Sequence, residues 1–375
     1  MQKDQITAIS IIVGTCIGSG FLGIPYIAAQ LGFFPTMLYL IIFGSIILTL
    51  NLYFGEVILR TRQQNHLIGY TQRYLGNRYS MLMKAAVILS VYAALLSYMI
   101  GIGESVSHLI TGTTSYSLAF GIIFGIVMSI VLLGGLKSLK YLEKVGVASI
   151  ILLFIAAFAT YITQIDLTNL IHFDSRHIFL PIGVILFSLI EFYSLPEARM
   201  VLKGKEHLLK RTIIIGTITP IIFYIIFAFI VVGFRGQDTP QISTFALGNI
   251  FVLVGMFAMF TSYLALATAI IDNYKLDLKL SNRKAWALGA LPPILVYIVL
   301  SLGGFLDFIG VLSIGGVIAG GTMVILVLMK IHQAEVKGTR KPEYDIKTNK
   351  YLTAFFIIIF LLAMAIEIGS RLFSF

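Results

Sequence analysis

Long apolar runs alternate with short polar and basic segments along the whole chain. The runs fall near residues 5–30, 34–59, 84–110, 115–135, 145–165, 178–202, 211–233, 246–271, 285–303, 305–329 and 351–371. A bilayer core about 30 Å thick takes about 20 apolar residues of helix, so each run predicts one membrane-crossing helix. The polar segments carry a second signal. With the N-terminus placed in the cytoplasm, the clusters Arg60 to Lys84, Lys137 to Lys144, Arg199 to Arg211, Lys275 to Lys284 and Lys330 to Lys350 occupy every second loop. Of the 27 Lys and Arg, only Arg176, Arg235 and Arg371 then fall on the other side. Cytoplasmic loops hold the excess of Lys and Arg. The pattern predicts an all-α polytopic membrane protein, one transmembrane domain over 1–375. Its eleven helices run from a cytoplasmic N-terminus to an outside C-terminus at Phe375.

Composition agrees. Of 375 residues, 58% are hydrophobic and 12% charged, and the mean hydropathy is +0.96. A soluble domain carries about 25% charged residues. The net charge of +10 is accounted for by topology, with residual attraction to anionic lipid, and does not call for a nucleic acid partner. The lone cysteine, Cys16, excludes an internal disulfide. The first run is too long for a signal-peptide core and is expected to be retained. Phosphate-binding loops, His/Cys metal spacings and nucleophile elbows are absent from the sequence, and the six histidines are scattered. No enzyme and no bound cofactor is expected.

The chemistry lies in the punctuation of two runs. The first contains Gly18-Ser19-Gly20 and then Pro25. The sixth contains Gly183, then Phe187-Ser188-Leu189-Ile190-Glu191, then Pro196. In hydrocarbon an unpaired backbone group costs several kcal/mol, so a helix breaks at depth only where the freed groups meet protein, water or a ligand. At such a break the ending half-helix offers carbonyls to a cation and the starting half offers amides to a carboxylate. The two runs lie five helices apart and so enter the membrane from opposite sides. Interrupted helices at matching positions of two inverted halves point to a transporter's binding site. The halves are about 5–165 and 178–330, with 351–371 as an extra helix.

Gly14 to Gly32 (GTCIGSGFLGIPYIAAQLG) resembles helix 1 of the amino acid/auxin permeases and the aromatic amino acid permeases, both in the amino acid–polyamine–organocation superfamily. Gly183 to Glu197 (GVILFSLIEFYSLPE) resembles helix 6 of the same families. Thr261-Ser262-Tyr263-Leu264 followed by Asp272 is similar to a helix 8 pattern of the aromatic amino acid permeases. The resemblance implies a LeuT-type fold of five-plus-five inverted repeats with discontinuous helices 1 and 6, and secondary transport of an amino acid across the plasma membrane. Carried onto this chain, amides around Gly18, Ser19 and Gly20 would hold the substrate carboxylate. Carbonyls near Thr15 and at Phe187, Ser188 and Ile190 would hold its ammonium. Phe187, Phe192 and Tyr98 are candidates for the side-chain pocket.

Two coupling cations stay open. Carbonyls of Gly14 and Ile17 with hydroxyls of Thr261 and Ser262 resemble the sodium site of sodium-coupled relatives. The lysine that some proton-coupled relatives carry in helix 5 is missing from Val145 to Thr163. Glu191 departs from the family pattern. An intramembrane carboxylate is expensive and functional by default, so Glu191 is a candidate proton carrier, a reader of a cationic amino acid or polyamine, or a partner for a polar group across the bundle. The expected activity is cation-coupled amino acid import. The alternatives are a proton-coupled or exchange carrier for a cationic amino acid or polyamine and a nutrient-sensing receptor that keeps the binding fold.

Overall fold

The computed structural model describes residues 2–133, 152, 154–276, 279–305, 307–346 and 349–373, and among these there are helices and turns but no strand. Helices α1 (Lys3–Cys16) and α2 (Gly20–Leu31) form a pair bent by 53°. They are followed by α3 (Phe33–Leu59), the short α4 (Leu67–Leu75), the long α5 (Asn77–Thr111) and α6 (Ser117–Leu133). Then come α7 (Phe154–Gln164), α8 (Leu180–Leu189) and α9 (Ser194–Val201). After α10 (Leu209–Arg235), α11 (Asn249–Leu276) and α12 (Asn282–Leu302), α13 (Phe308–Ile314) runs into a π-helical stretch, Gly315–Gly320. The stretch continues as α14 (Gly321–Lys337), and α15 (Lys350–Phe373) completes the order.

Among the described residues eight helices are long and apolar enough to cross a membrane, with α8–α9 and α13–α14 each counted as one. The bent pair α1–α2 makes a ninth. The chain is therefore a multi-pass membrane protein. α6 and α7 are apolar but shorter, and the runs to which they belong continue into residues outside those described. The first part of the lysine-free stretch from Val145, the cluster Lys137 to Lys144 and Phe375 also lie outside them.

Both interruptions follow from local sequence. α1 ends at Cys16 because Ile17 (φ −82°, ψ 73°) leaves the helical region and the Gly18 amide turns back to the Cys16 carbonyl at 2.9 Å. The following Gly-Ser-Gly lacks helix-forming residues. α8 starts with Pro181 in its first turn, where a proline costs no hydrogen bond, and stops at Ile190 (φ −80°, ψ 111°). α9 restarts at Ser194, whose amide and hydroxyl both donate to the Glu191 carbonyl, at 2.9 and 2.7 Å.

Around the breaks, α1 packs on α9 and α10, α2 on α8 and α10, and α3 on α10 and α14. α5 holds the other side, against α6, α11, α13 and the π stretch. Without a hydrophobic force between helices in lipid, close approach depends on small residues. The tightest crossing is α8 on the π stretch. A Cβ at Gly183 would lie 2.6 Å from Ser313 Cα, and one at Gly316 would lie 2.6 Å from the Phe187 amide and closer still to the Gly183 carbonyl.

Two loops secure the ends. The segment after α14 is strapped to the end of α3: Thr339 and Arg340 amides donate to the Arg60 carbonyl at 2.8 and 3.1 Å, and the Arg60 guanidinium bridges Glu56 (2.7 Å) and Asp345 (3.1 Å). The Tyr344 hydroxyl donates to Leu52 O at 2.8 Å beside Gly55, and burial pushes that phenol's pKa well up. At the opposite end the Asp174 amide donates to Leu31 O at 3.0 Å. Hydrogen bonds from Arg176 hold the Asp174 carboxyl well below the usual range. A depressed pKa favours the folded loop above the ordinary carboxylate range and loses that contribution only as pH falls through it, so this tie persists at neutral and mildly acidic pH.

Gly316→Val places a branched side chain against backbone that cannot yield. Overpacking of this kind costs about 1–3 kcal/mol. The expected outcome is a lowered thermal midpoint of the detergent-solubilised protein; an unchanged midpoint would show that α8 and the π stretch do not cross at these glycines.

Candidate functional site: two helix breaks around one cavity

The two breaks meet. A Cβ at Gly20 would lie 2.9 Å from Ser188 Cα, so only glycine lets the start of α2 touch the end of α8. Between them, on α10, the buried Tyr224 hydroxyl reaches two carbonyls at helix ends, Cys16 O at 2.8 Å and Ser188 O at 3.0 Å. These are orphan acceptors of the kind every helix C-terminus leaves.

A second polar knot lies behind the α8–α9 break. Glu191 is fully buried. Its Oε1 accepts from Asn51 Nδ2 of α3 at 2.6 Å and from Thr217 Oγ1 of α10 at 2.8 Å, and its Oε2 accepts from the Cys16 thiol of α1. Asn51 Nδ2 also reaches Thr217 Oγ1 at 3.0 Å. One carboxyl thus ties three helices to the break. Buried charge is tolerated where hydrogen bonds satisfy its lone pairs. Of the readings open to Glu191, this geometry is that of a group paired across the bundle.

A cavity of about 30 Å3 opens between the breaks, α5, α11 and the π stretch. Of the residues singled out from the sequence, Thr15, Gly18, Tyr98, Phe187 and Ile190 line it. Tyr98 sits over the first break: its hydroxyl lies 2.6 Å from where a Gly18 Cβ would be and interacts with Ser19 and Ser262. Ser19 lies one layer back, fully buried, its hydroxyl 2.6 Å from Ser97 Oγ. The Thr15 and Ser188 hydroxyls bond back to their own helices, to Ile11 O (2.9 Å) and Val184 O (2.7 Å). They therefore serve through their backbone. Gly20, Ser188 and Glu191 do not line the cavity; they hold the two breaks together. Phe192 turns away and meets Phe54 edge-on, with ring centroids 6.2 Å apart.

The candidate cation ligands are placed less closely. Thr261 Oγ1 donates to Ala258 O of its own helix at 3.0 Å, and Ser262 reaches Tyr98. Leu266, one turn beyond Ser262, lines the cavity beside Thr15 and Cys16, so this face of α11 looks toward the end of α1. Each hydroxyl keeps lone pairs free to accept a cation. Gly14 and Ile17 flank the last turn of α1, and the Ile17 amide is bonded to Val13 O at 3.0 Å.

Sequence reasoning missed several participants. Gly315, Gly316 and Gly320 form one cavity wall, on a π-helical stretch of the sort that recurs at functional sites; as a glycine cluster they read only as a packing feature. Ser90 and Tyr193 line the cavity's other end. Asn51 was visible as a polar residue inside an apolar run, and pairing it with Glu191 was the available clue.

Residues 1–244 match the tryptophan/tyrosine permease family, and this span contains both breaks, Tyr224 and the whole Glu191 knot. The chain belongs to that family. It is also 24% identical over 366 residues to glutamine transporter 2 of Aliivibrio fischeri, with 89% of each chain covered. A permease family and a transporter relative make it a transporter of the amino acid type and not an enzyme.

Tyr224→Phe keeps the ring and removes the one donor shared by two buried carbonyls. Cys16 O keeps the Gly18 amide, and the Ser188 carbonyl, losing its donor, costs about 1–3 kcal/mol. A lower thermal midpoint and weakened substrate uptake are expected. If both stay at wild-type values, the hydroxyl is not what closes the breaks.

Proposed function

We propose that the protein is a secondary active transporter that imports an amino acid through alternating access, in a LeuT-type arrangement of two inverted five-helix repeats. The observation that carries this reading is the meeting of two interrupted membrane helices at one cavity, Gly20 against Ser188, with Tyr224 between them. Helix α2 begins at Gly20; the Leu22 amide donates to Ser19 O at 3.1 Å, and the amides before it have no intrahelical acceptor and lie at the positive end of the helix dipole. They suit a carboxylate. The carbonyls at the end of α1 near Thr15, and those of Phe187 and Ile190 at the end of α8, suit an ammonium. The Ser188 carbonyl already accepts from Tyr224 and has one lone pair to spare. The cavity is far below the roughly 300–1,000 Å3 of ligand sites, so admission of an amino acid requires the group around α1, α3, α8 and α10 to move relative to α5, α11 and α13–α14.

The family and the relative name the substrates to test first, tryptophan, tyrosine and glutamine. Uptake of any of them into proteoliposomes against its gradient supports the reading; absence of flux for all twenty amino acids, with binding retained, would favour a sensor. With the N-terminus cytoplasmic, the segment after Lys330 is accessible only from inside, which single-cysteine labelling on a Cys16→Ser background reads directly.

For the coupling ion we favour sodium, held by carbonyls of Gly14 and Ile17 and hydroxyls of Thr261 and Ser262. The Ser262 hydroxyl sits on the face of α11 that reaches Tyr98, and Thr261 precedes it on the same helix. Losing one ligand to a charge costs about 1.5–3 kcal/mol. Thr261→Ala and Ser262→Ala should therefore each raise the half-maximal sodium concentration about tenfold or more. Full uptake in sodium-free buffer under an inward proton gradient would sink this choice. It would leave Glu191 as the proton carrier, a role supported by its contact with Cys16 at the cavity wall.

A further inference from the structure

The cavity has two unlike ends. At one end Gly18 meets the Tyr98 hydroxyl, and at the other Ser90 meets the Tyr193 hydroxyl. Tyr98 and Ser90 both line it and both belong to α5, eight residues apart. At 1.5 Å of rise per residue their Cα atoms lie about 12 Å apart, so the cavity's lining runs along about two turns of α5. Between its ends the walls are apolar: Val91, Ala94, Leu266 and Phe187, with Gly315 and Gly316 opposite.

The Ser90–Tyr193 end is the unusual one. Ser90 is 6% exposed. Among the described residues its hydroxyl bonds to neither a carbonyl nor an amide. Its one partner is the Tyr193 hydroxyl at 3.4 Å, and that is the Tyr193 hydroxyl's one partner too. Most other buried or half-buried hydroxyls here are tied at 2.6–3.1 Å, as Thr15, Ser97, Ser188, Thr212 and Thr217 are. Two buried hydroxyls that share one long hydrogen bond are under-satisfied, and polar groups in that state are the ones a ligand completes. Together they carry two protons, one of them in their shared bond, and several lone pairs.

We propose that the Ser90–Tyr193 end of the cavity receives the hydrogen-bonding tip of the transported amino acid's side chain. This rests on the transport reading above, in which the main chain of the substrate lies at the Gly18 end. A substrate so held points its side chain along the apolar walls toward Ser90. A short side chain ends before it arrives, and an aliphatic one arrives with nothing to bond. The class that fits is an elongated side chain with an apolar stem and a polar end. Glutamine's amide and tyrosine's phenol share that chemistry. A site built to hydrogen-bond a substrate group discriminates strongly against analogues that lack it, because its own polar groups are then left unpaired.

The test is uptake competition in proteoliposomes with glutamine, tyrosine, phenylalanine, leucine and alanine. In the wild type, glutamine or tyrosine, or both, should half-saturate at concentrations about tenfold or more below those of phenylalanine and leucine; whichever does so identifies the source of the polar tip. Tyr193→Phe and Ser90→Ala should each raise half-saturation for that substrate about tenfold, while phenylalanine changes by less than about twofold. Thermal midpoints of both variants guard against misfolding, and either variant alone decides the matter. Equal losses for phenylalanine and the polar substrates would show that the two hydroxyls only hold the helices, and overturn the proposal. A wild type that prefers leucine or alanine would overturn it too while leaving amino acid transport intact. No uptake of any amino acid would remove the transport reading itself.

Discussion

A peptide group in hydrocarbon has no water to turn to, and this chain is organised around that constraint. Two of its membrane helices stop part-way across, and the backbone groups freed there need partners. The Tyr224 hydroxyl is the partner common to both, joining the Cys16 carbonyl to the Ser188 carbonyl. A phenol has one proton, so each carbonyl receives part of a hydrogen bond. Cys16 O has the Gly18 amide as a second donor, whereas the Ser188 carbonyl depends on its share of the phenol, the condition in which a backbone atom remains available to a ligand. Remove the stitch and the Ser188 carbonyl loses its donor while Cys16 O keeps only the Gly18 amide, at the point where α1, α2, α8 and α10 converge.

The Glu191 knot performs a different task close by. Its carboxyl draws donors from α1, α3 and α10, so those helices are held to the α8–α9 break as one unit. Together with Gly216 of α10, against which Ile12 of α1 packs, this makes a coherent group on one side of the cavity. α5, α11 and the π stretch make the other. The contact between the groups is tight at glycines, Gly183 and Gly316, where small residues allow backbones to approach and slide. A transporter needs this division: rigid ties within each group and close but side-chain-poor contact between them.

The architecture was largely legible in sequence because its causes are local. Twenty apolar residues set a membrane helix, and Gly-Ser-Gly or an isolated Pro-flanked stretch sets its interruption; both breaks fall where the punctuation puts them, at Ile17–Ser19 and Ile190–Tyr193. The site was legible only in part. Gly18 and Phe187 line the cavity because they belong to the breaks themselves. Ser90, Tyr193 and Gly320 enter it through the rotation of α5, the turn after Glu191 and the π-helical offset, none of which hydropathy records. Every face of a fully buried helix is apolar, so periodicity does not tell the face toward a cavity from the face toward a neighbour. Phe192 and Tyr193 show the limit: adjacent aromatic residues, one packed on Phe54 and one at the cavity wall.

The placement of Glu191 bears directly on how binding and movement are linked. Its Oε2 receives the thiol of Cys16, and the backbone carbonyl of Cys16 receives Tyr224; the same residue lines the cavity. Cys16 therefore faces three directions at once: the carboxyl knot through its side chain, the α8 end through its carbonyl, and the cavity. A ligand that draws on the carbonyls at the end of α1 competes with Tyr224 for them, and any weakening of that stitch loosens α1 from α8 while Glu191 still holds α1 to α3 and α10. Ligand binding at this point acts on the tie between α1 and α8 and spares the Glu191 ties to α3 and α10. A ligand shifts a conformational equilibrium only through contacts that differ between the two states, and at the end of α1 the cavity, the Tyr224 stitch and the Glu191 knot meet on one residue.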